Sequence, residues 1–251
     1  MSAKSHRIIF ISALLSILLL GGCTTIYNPA TGRNEMLLID TEQEVSLGLN
    51  MDRQIKSDLD VLDDHYMQGR LQRIGGRVAS VSDRQDLKYT FQIIDDEELN
   101  AFAAPGGYIY VNKGLIESTT DDELACVLAH ETGHIAARHS AKKLQAVMGY
   151  QLLFAVAAGA GAGSDILQAT DIVFNVVALG YSRQDENLAD KLSVRYAKRS
   201  GFDPQGSISF FKKLQAEADQ KGTGYTIVFL SSHPPIKDRI ENIEREIQQT
   251  P

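Results

Sequence analysis

Residues 130–134 read His-Glu-Thr-Gly-His, two histidines four apart with a glutamate directly after the first. They sit in an apolar run with helical spacing, among Leu124, Val127, Leu128 and Ile135. Residues four apart share one face of an α-helix, so this helix aims both imidazoles at one point. Such a pair can grip a single metal ion, with Glu131 placed beside a metal-bound water. Zinc takes neutral nitrogen or anionic ligands in a roughly tetrahedral shell, and a catalytic zinc keeps one position for water, whose pKa falls to about 7. A neighbouring carboxylate can take that water's proton, which is the chemistry of peptide-bond hydrolysis without a covalent intermediate. The plainer alternative is two surface histidines and a solvated glutamate on one helix.

One helix supplies two ligands, so a third must come from elsewhere. The extended pattern H-E-x-x-H-x-x-G-x-x-H fails, because Ala137 stands where the glycine belongs and Ser140 where the third histidine belongs. His139 misses that register by one and is expected either to be exposed or to stand behind the ligands. A second helix offers a carboxylate instead. Ser182 suits a helix N-cap, with Asp185 three residues on. Glu186 and Asp190 then lie one turn apart on the same face. Glu186 is the candidate third metal ligand, and Asp190 can accept the free ring N–H of a ligating histidine, more naturally that of His130. Further on, Ser231-Ser232-His233-Pro234-Pro235 precedes Arg239. Two prolines can hold the imidazole of His233 at a fixed angle, although Pro235 equally suits the first turn of a helix.

Taken together, these blocks resemble the gluzincin peptidase family of the CAAX-prenyl endopeptidases and HtpX-type proteases. The matching pieces are His130-Glu131-x-x-His134, Ser182-Arg183-x-x-Glu186-x-x-x-Asp190, His233-Pro234-Pro235 with Arg239, and Asn100-Ala101-Phe102-Ala103 with Gly106-Gly107-Tyr108-Ile109. The likeness runs from about Thr41 to Ile247. It implies an α+β fold, mostly helical, with a small sheet beside the zinc helix. It also implies one zinc ion per chain on His130, His134 and Glu186, Glu131 as general base, and His233 and Arg239 lining the cleft. His233 would act either as a donor to the developing oxyanion or as a resting fourth ligand. The donor role is favoured here, because Arg239 lies one helical turn into the following helix and can share the site. Cleft peptides commonly add to a sheet edge, so the substrate is expected beside Tyr108, Ile109, Tyr110 and Val111. The resemblance is to the small bacterial lipoprotein members. Their implied substrates are unfolded or misassembled envelope polypeptides, and the alternative is a zinc-bearing assembly factor for outer-membrane proteins.

The N-terminus fits that setting. Lys4 and Arg7 precede an apolar run from Ile8 to Leu20, and Leu20-Gly21-Gly22-Cys23 closes it. The run is too short for a bilayer core of ~30 Å. It reads as a signal peptide over residues 1–22, with Cys23 as an acylated N-terminus that anchors the chain to a membrane through its acyl chains. Thr24, not Asp, follows the cysteine, which favours the periplasmic face of the outer membrane. Processing removes two basic residues and no acid, so the formal charge of −7 becomes −9. That balance argues against a nucleic-acid partner. Cys126, the other cysteine, has no internal partner and is expected to be a small buried hydrophobe.

Residues 23–38, with Asn28-Pro29 and Thr31-Gly32, read as a tether, and residues 39–251 as one metallopeptidase domain. Thr41-x-x-Glu44 and Thr120-x-x-Glu123 read as capping boxes. Leu71, Ile74, Val78 and Val81 keep helical spacing, and Tyr89, Phe91 and Ile93 alternate as in a strand. A further helix is expected from Asp203-Pro204 to about Ala218. Ile236, Ile240, Ile243 and Ile247 form an apolar seam on the last one. Val147 to Gly163 is apolar and rich in Ala and Gly. It is expected to end a helix in a loop near the cleft.

Overall fold

The computed structural model describes residues 24–147, 180–221, 229, 233 and 236–250. Cys23, the leader and all but the first residue of the Val147–Gly163 segment lie outside these. Among the described residues no helix is long and apolar enough to cross a membrane.

The chain opens with a hairpin of β1 (Thr24–Asn28) and β2 (Arg33–Leu37). This corrects the expected tether. The turn residues that suggested an irregular linker in fact close the hairpin. Asn28 Oδ1 accepts from the Ala30 N–H at 3.0 Å, and Gly32 takes a φ of 67°. Asn and Gly do this readily because one bonds the backbone two residues on and the other carries no Cβ. The hairpin is held to the body by Lys142–Glu35 at 2.6 Å and by the Leu38 N–H on Gln145 Oε1 at 2.8 Å.

Helix α1 (Thr41–Asp58) follows. Its cap is Asp40 with Gln43, one residue before the expected Thr41 and Glu44. Both pairs satisfy the capping-box spacing, so the local signal is degenerate. Burial decides between them. Glu44 is needed inside, where it meets Arg84 at 3.2 Å and Arg138 at 3.1 Å. Removing one partner from such a buried set costs about 3–5 kcal/mol, because a charge is left uncompensated.

Helix α2 (His65–Ala79) buries Leu71, Ile74 and Val78 completely, while Val81 lies past its end and is half-buried. Strands β3 (Thr90–Ile94), β4 (Ala101–Ala104) and β5 (Tyr108–Asn112) form a sheet of order β3-β5-β4. β5 pairs parallel to β3 and antiparallel to β4. It is therefore the central strand, and its Ile109, Tyr110 and Val111 are buried. A peptide cannot add beside a strand whose two edges are already hydrogen-bonded. The expected substrate track along Tyr108–Val111 is thus corrected. Strand order depends on long-range pairing that no local pattern encodes.

After the short α3 (Lys113–Ser118) comes α4 (Asp121–Ala136), opened by the Thr120–Glu123 capping box as expected. Every residue from Glu123 to Ala136 is buried. A helix enclosed on all sides is the spine of its domain. Around it pack α2, β4, α5 (Arg183–Arg199) and α6 (Gln205–Lys221). Helix α7 (Ile236–Gln249) closes against α5 and α6 through Ile240, Ile243 and Ile247 of the expected isoleucine seam. The result is the mostly helical α+β domain with small sheets that the sequence implies.

Cys126 is buried on α4, and burial pushes its thiol up to about 12. The thiolate is the reactive form, so the native thiol should resist alkylation and react only after denaturation. Counting thiols in the denatured membrane-extracted protein also reports on Cys23: one free thiol is expected if the Cys23 sulfur carries a diacylglycerol, two if it does not.

Candidate active site

Helix α4 presents His130 and His134 on one face with Glu131 beside them, and α5 presents Glu186 and Asp190. The two helices approach closely because residue 133 is glycine. A Cβ there would lie 3.2 Å from the Ala189 carbonyl oxygen and 3.2 Å from Leu192 Cβ. At the start of α5, Ser182 Oγ accepts from the Asp185 N–H at 3.2 Å, and Asp185 Oδ2 accepts from the Ser182 N–H at 3.2 Å. This reciprocal cap sets where the first turn begins and so where Glu186 points.

Four side chains converge: His130, His134, Glu186 and His233, all buried, with one ligand atom each within 4.8 Å of the others. His130 Nε2 is 3.0 Å from His134 Nε2, 3.3 Å from His233 Nδ1 and 3.4 Å from Glu186 Oε2. His233 Nδ1 is 2.9 Å from Glu186 Oε1, and His134 Nε2 is 3.5 Å from the same oxygen. A tetrahedral shell with bonds of about 2.0–2.1 Å has edges of about 3.3–3.4 Å, so this set fits a zinc ion. The unpartnered atoms agree. Both Glu131 oxygens and Glu186 Oε2 are buried without a hydrogen-bond partner. Buried polar atoms rarely stay so unless another ligand completes them.

Behind the cluster, Asp190 Oδ1 lies 3.0 Å from His130 Nδ1. Arg239 grips Asp190 with two bonds, Nη2 to Oδ1 at 2.6 Å and Nε to Oδ2 at 2.8 Å. Its Nη1 also stands 3.1 Å from Glu186 Oε2. Arg239 thus clamps Glu186 and Asp190 together. Among the described residues no hydrogen bond joins it to His233. The Phe229 ring lies tilted against His233, ring centres 4.6 Å apart. His139 is buried, not exposed: its Nδ1 lies 2.9 Å from His134 Nδ1. Tyr181, which no spacing singled out, stacks on His134 with ring centres 3.9 Å apart.

The charges follow from burial and neighbours. Burial alone would lower His130, but hydrogen bonds from Asp190 and Glu186 outweigh it and raise it to about 9. Burial pushes Glu131 up to about 8, against the pull of His130 and Arg239 and of the Ala103 main chain on β4. Burial holds His233 down to about 4 and His134 well below the usual imidazole range. Burial would raise Glu186, yet His233 and His130 hold its carboxyl far below the usual carboxylate range.

Two groups of the metal-free pocket therefore keep a proton at neutral pH. A metal takes only the neutral imidazole, so His130 must give its proton up. Zinc binding at pH 7 should release protons, and affinity should rise as pH approaches about 9. Titration calorimetry in buffers of different ionisation enthalpy measures this directly. Proton-independent binding would contradict the assignment of His130.

Comparison with known proteins agrees with this geometry. The sequence model described as peptidase family M48 matches residues 66–247. The chain is 34% identical over 173 residues to the mitochondrial metalloendopeptidase OMA1 of Schizosaccharomyces pombe, covering 68% of this chain and 50% of that protein. It is 26% identical over 233 residues to the beta-barrel assembly-enhancing protease of Escherichia coli, covering 88% and 47%. It is 32% identical over 162 residues to the metalloprotease YcaL of Escherichia coli, covering 62% and 61%. The chain spans about half the length of the first two. With the family model covering most of its length and two helices bringing His130, His134 and Glu186 together at its centre, the chain belongs to peptidase family M48, the zinc metallopeptidases.

Proposed function

We propose that this chain is a lipid-anchored, periplasm-facing endopeptidase that cleaves unfolded or misassembled outer-membrane polypeptides. The observation that carries the hydrolytic part is the buried His130–His134–Glu186 set with an unpartnered Glu131 next to it. The relative named for beta-barrel assembly supports the envelope substrates. The leader and Cys23 support the anchor. A zinc ion on these ligands would polarise the scissile carbonyl and bring a bound water's pKa to about 7. Glu131 would take the proton of the activated water and pass it to the leaving amine. Its two free oxygens and its enclosure suit both steps. Asp190 holds the ring of His130, and Arg239 holds Asp190.

The substrate is placed along β4 rather than β5. β4 is hydrogen-bonded on one side by β5, and among the described residues no strand pairs with its other side. It packs on α4, and its Ala103 main chain reaches the field of Glu131.

His233 is assigned the resting-ligand role in place of the donor role favoured from sequence. Its Nδ1 stands at ligand-to-ligand distance from both His130 and Glu186, and Arg239 is occupied with carboxylates. As a fourth ligand His233 would take the place that a water needs, and the enzyme would rest until His233 moved aside. His233→Ala should keep its zinc and raise basal proteolysis of unfolded casein. A fall in kcat at unchanged zinc content would return His233 to the donor role.

A further inference from the structure

We infer that His139 is a positioning residue for the metal: it accepts the outer ring N–H of His134 and so fixes that ligand's tautomer and tilt. The inference rests on His134 being a ligand, and goes beyond it.

His134 turns Nε2 toward the cluster and Nδ1 away from it, and the Nδ1 atoms of His134 and His139 are 2.9 Å apart. Two ring nitrogens at that distance share one proton; two lone pairs or two N–H groups would repel. An imidazole that gives its Nε2 lone pair to a metal carries its proton on Nδ1. That proton then belongs to His134, and His139 must present its Nδ1 lone pair. The remaining proton of His139 sits on Nε2, which faces Asp185 Oδ1 at 3.4 Å. Only one pattern of protons satisfies the chain from metal to His134, His139 and Asp185. Asp185 closes the reciprocal cap of α5 with Ser182 and is adjacent to Glu186. The relay therefore ties the ligand nitrogen on α4 to the turn that carries the third ligand.

A straight helix cannot make this contact. Residues five apart lie on different faces, about 140° from alignment at 3.6 residues per turn. The chain solves this by ending α4 at Ala136 and putting Arg138 at a φ of 57°. A non-glycine residue rarely takes that conformation, and it persists only where its surroundings hold it. Here the Arg138 side chain is locked by Glu44 at 3.1 Å and by Thr41 Oγ1 at 2.7 Å. The reversal brings His139 back under His134. Ser140 meets the Tyr181 hydroxyl at 2.8 Å, and this fixes the ring that stacks on His134 from another side. His130 is steadied by a carboxylate and His134 by a neutral imidazole, so the two ligands have separate supports.

The test compares His139→Asn with His139→Gln and His139→Leu in the full-length protein. Asn places a carbonyl oxygen near the position of Nδ1. Gln places one near the position of Nε2, and Leu supplies no acceptor. Zinc affinity is read by chelator competition, and thermal melting of the metal-free proteins reports folding. Removing such a support typically weakens metal binding about 10–100-fold. The expected result is that loss for Leu and Gln, with Asn within a few-fold of the parent and the metal-free melting temperatures of Asn and Gln alike. Equal zinc affinity in all four proteins would overturn the inference. So would equal losses in Asn and Gln, which would mark His139 as a packing residue. A parent protein that binds no zinc would sink the metal reading itself, a distinguishable outcome.

Discussion

Glu131→Gln should retain its zinc and lose turnover by about 10²–10⁴-fold or more. The side chain is fully buried, and the Ala103 main chain that reaches it can bond the amide oxygen of Gln as well. Gln has the same shape, cannot take a proton, and removes a carboxyl group that burial already pushes up to about 8. The folded protein should therefore be no less stable than the parent, and its melting temperature equal or higher. Steady-state cleavage of unfolded casein with zinc content measured in parallel checks all three points. Turnover near the parental rate would remove Glu131 as the base. The same variant separates cleavage from an assembly role. If it restores envelope integrity as well as the parent does, hydrolysis is incidental to function.

Glu186→Ala should lose zinc and activity together. Four side chains converge on this carboxylate: His130, His134, His233 and Arg239, at 3.4, 3.5, 2.9 and 3.1 Å. Its removal leaves the buried Arg239 with Asp190 alone and the imidazoles without their anion. Breaking a buried charge pair from one side costs about 3–5 kcal/mol, so the metal-free protein should also melt earlier. Full zinc occupancy in this variant would contradict the ligand set. Cys126, in contrast, lies one turn before His130 on the same helix but faces the Asp203 carbonyl, so it cannot substitute as a ligand.

The site was more legible in the sequence than the frame around it. His130 and His134 at i and i+4, and Glu186 and Asp190 at the same spacing, are local signals that survive any arrangement of the helices. The caps at Thr120 and Ser182 are equally local. What escaped depends on distance or on a backbone reversal. The central place of β5 follows from pairing with a strand far upstream. The hairpin at residues 24–37 has turn residues that a linker shares. Asp40 and Thr41 offer competing caps, and only the buried charges of Arg84 and Arg138 choose between them. His139 lies five residues from His134, a spacing that argues against contact until Arg138 is known to turn the chain. The resemblance puts Arg239 in the cleft without naming its partners, which lie on α5, about fifty residues earlier.

The most direct test of the central claim is cleavage of unfolded casein by the purified protein before chelation, after it, and after zinc is restored at one equivalent. The metal assignment predicts that chelation abolishes cleavage, that one zinc per chain restores it, and that Glu131→Gln stays inactive in all three states. Cleavage that persists in the chelated, zinc-free protein would contradict it.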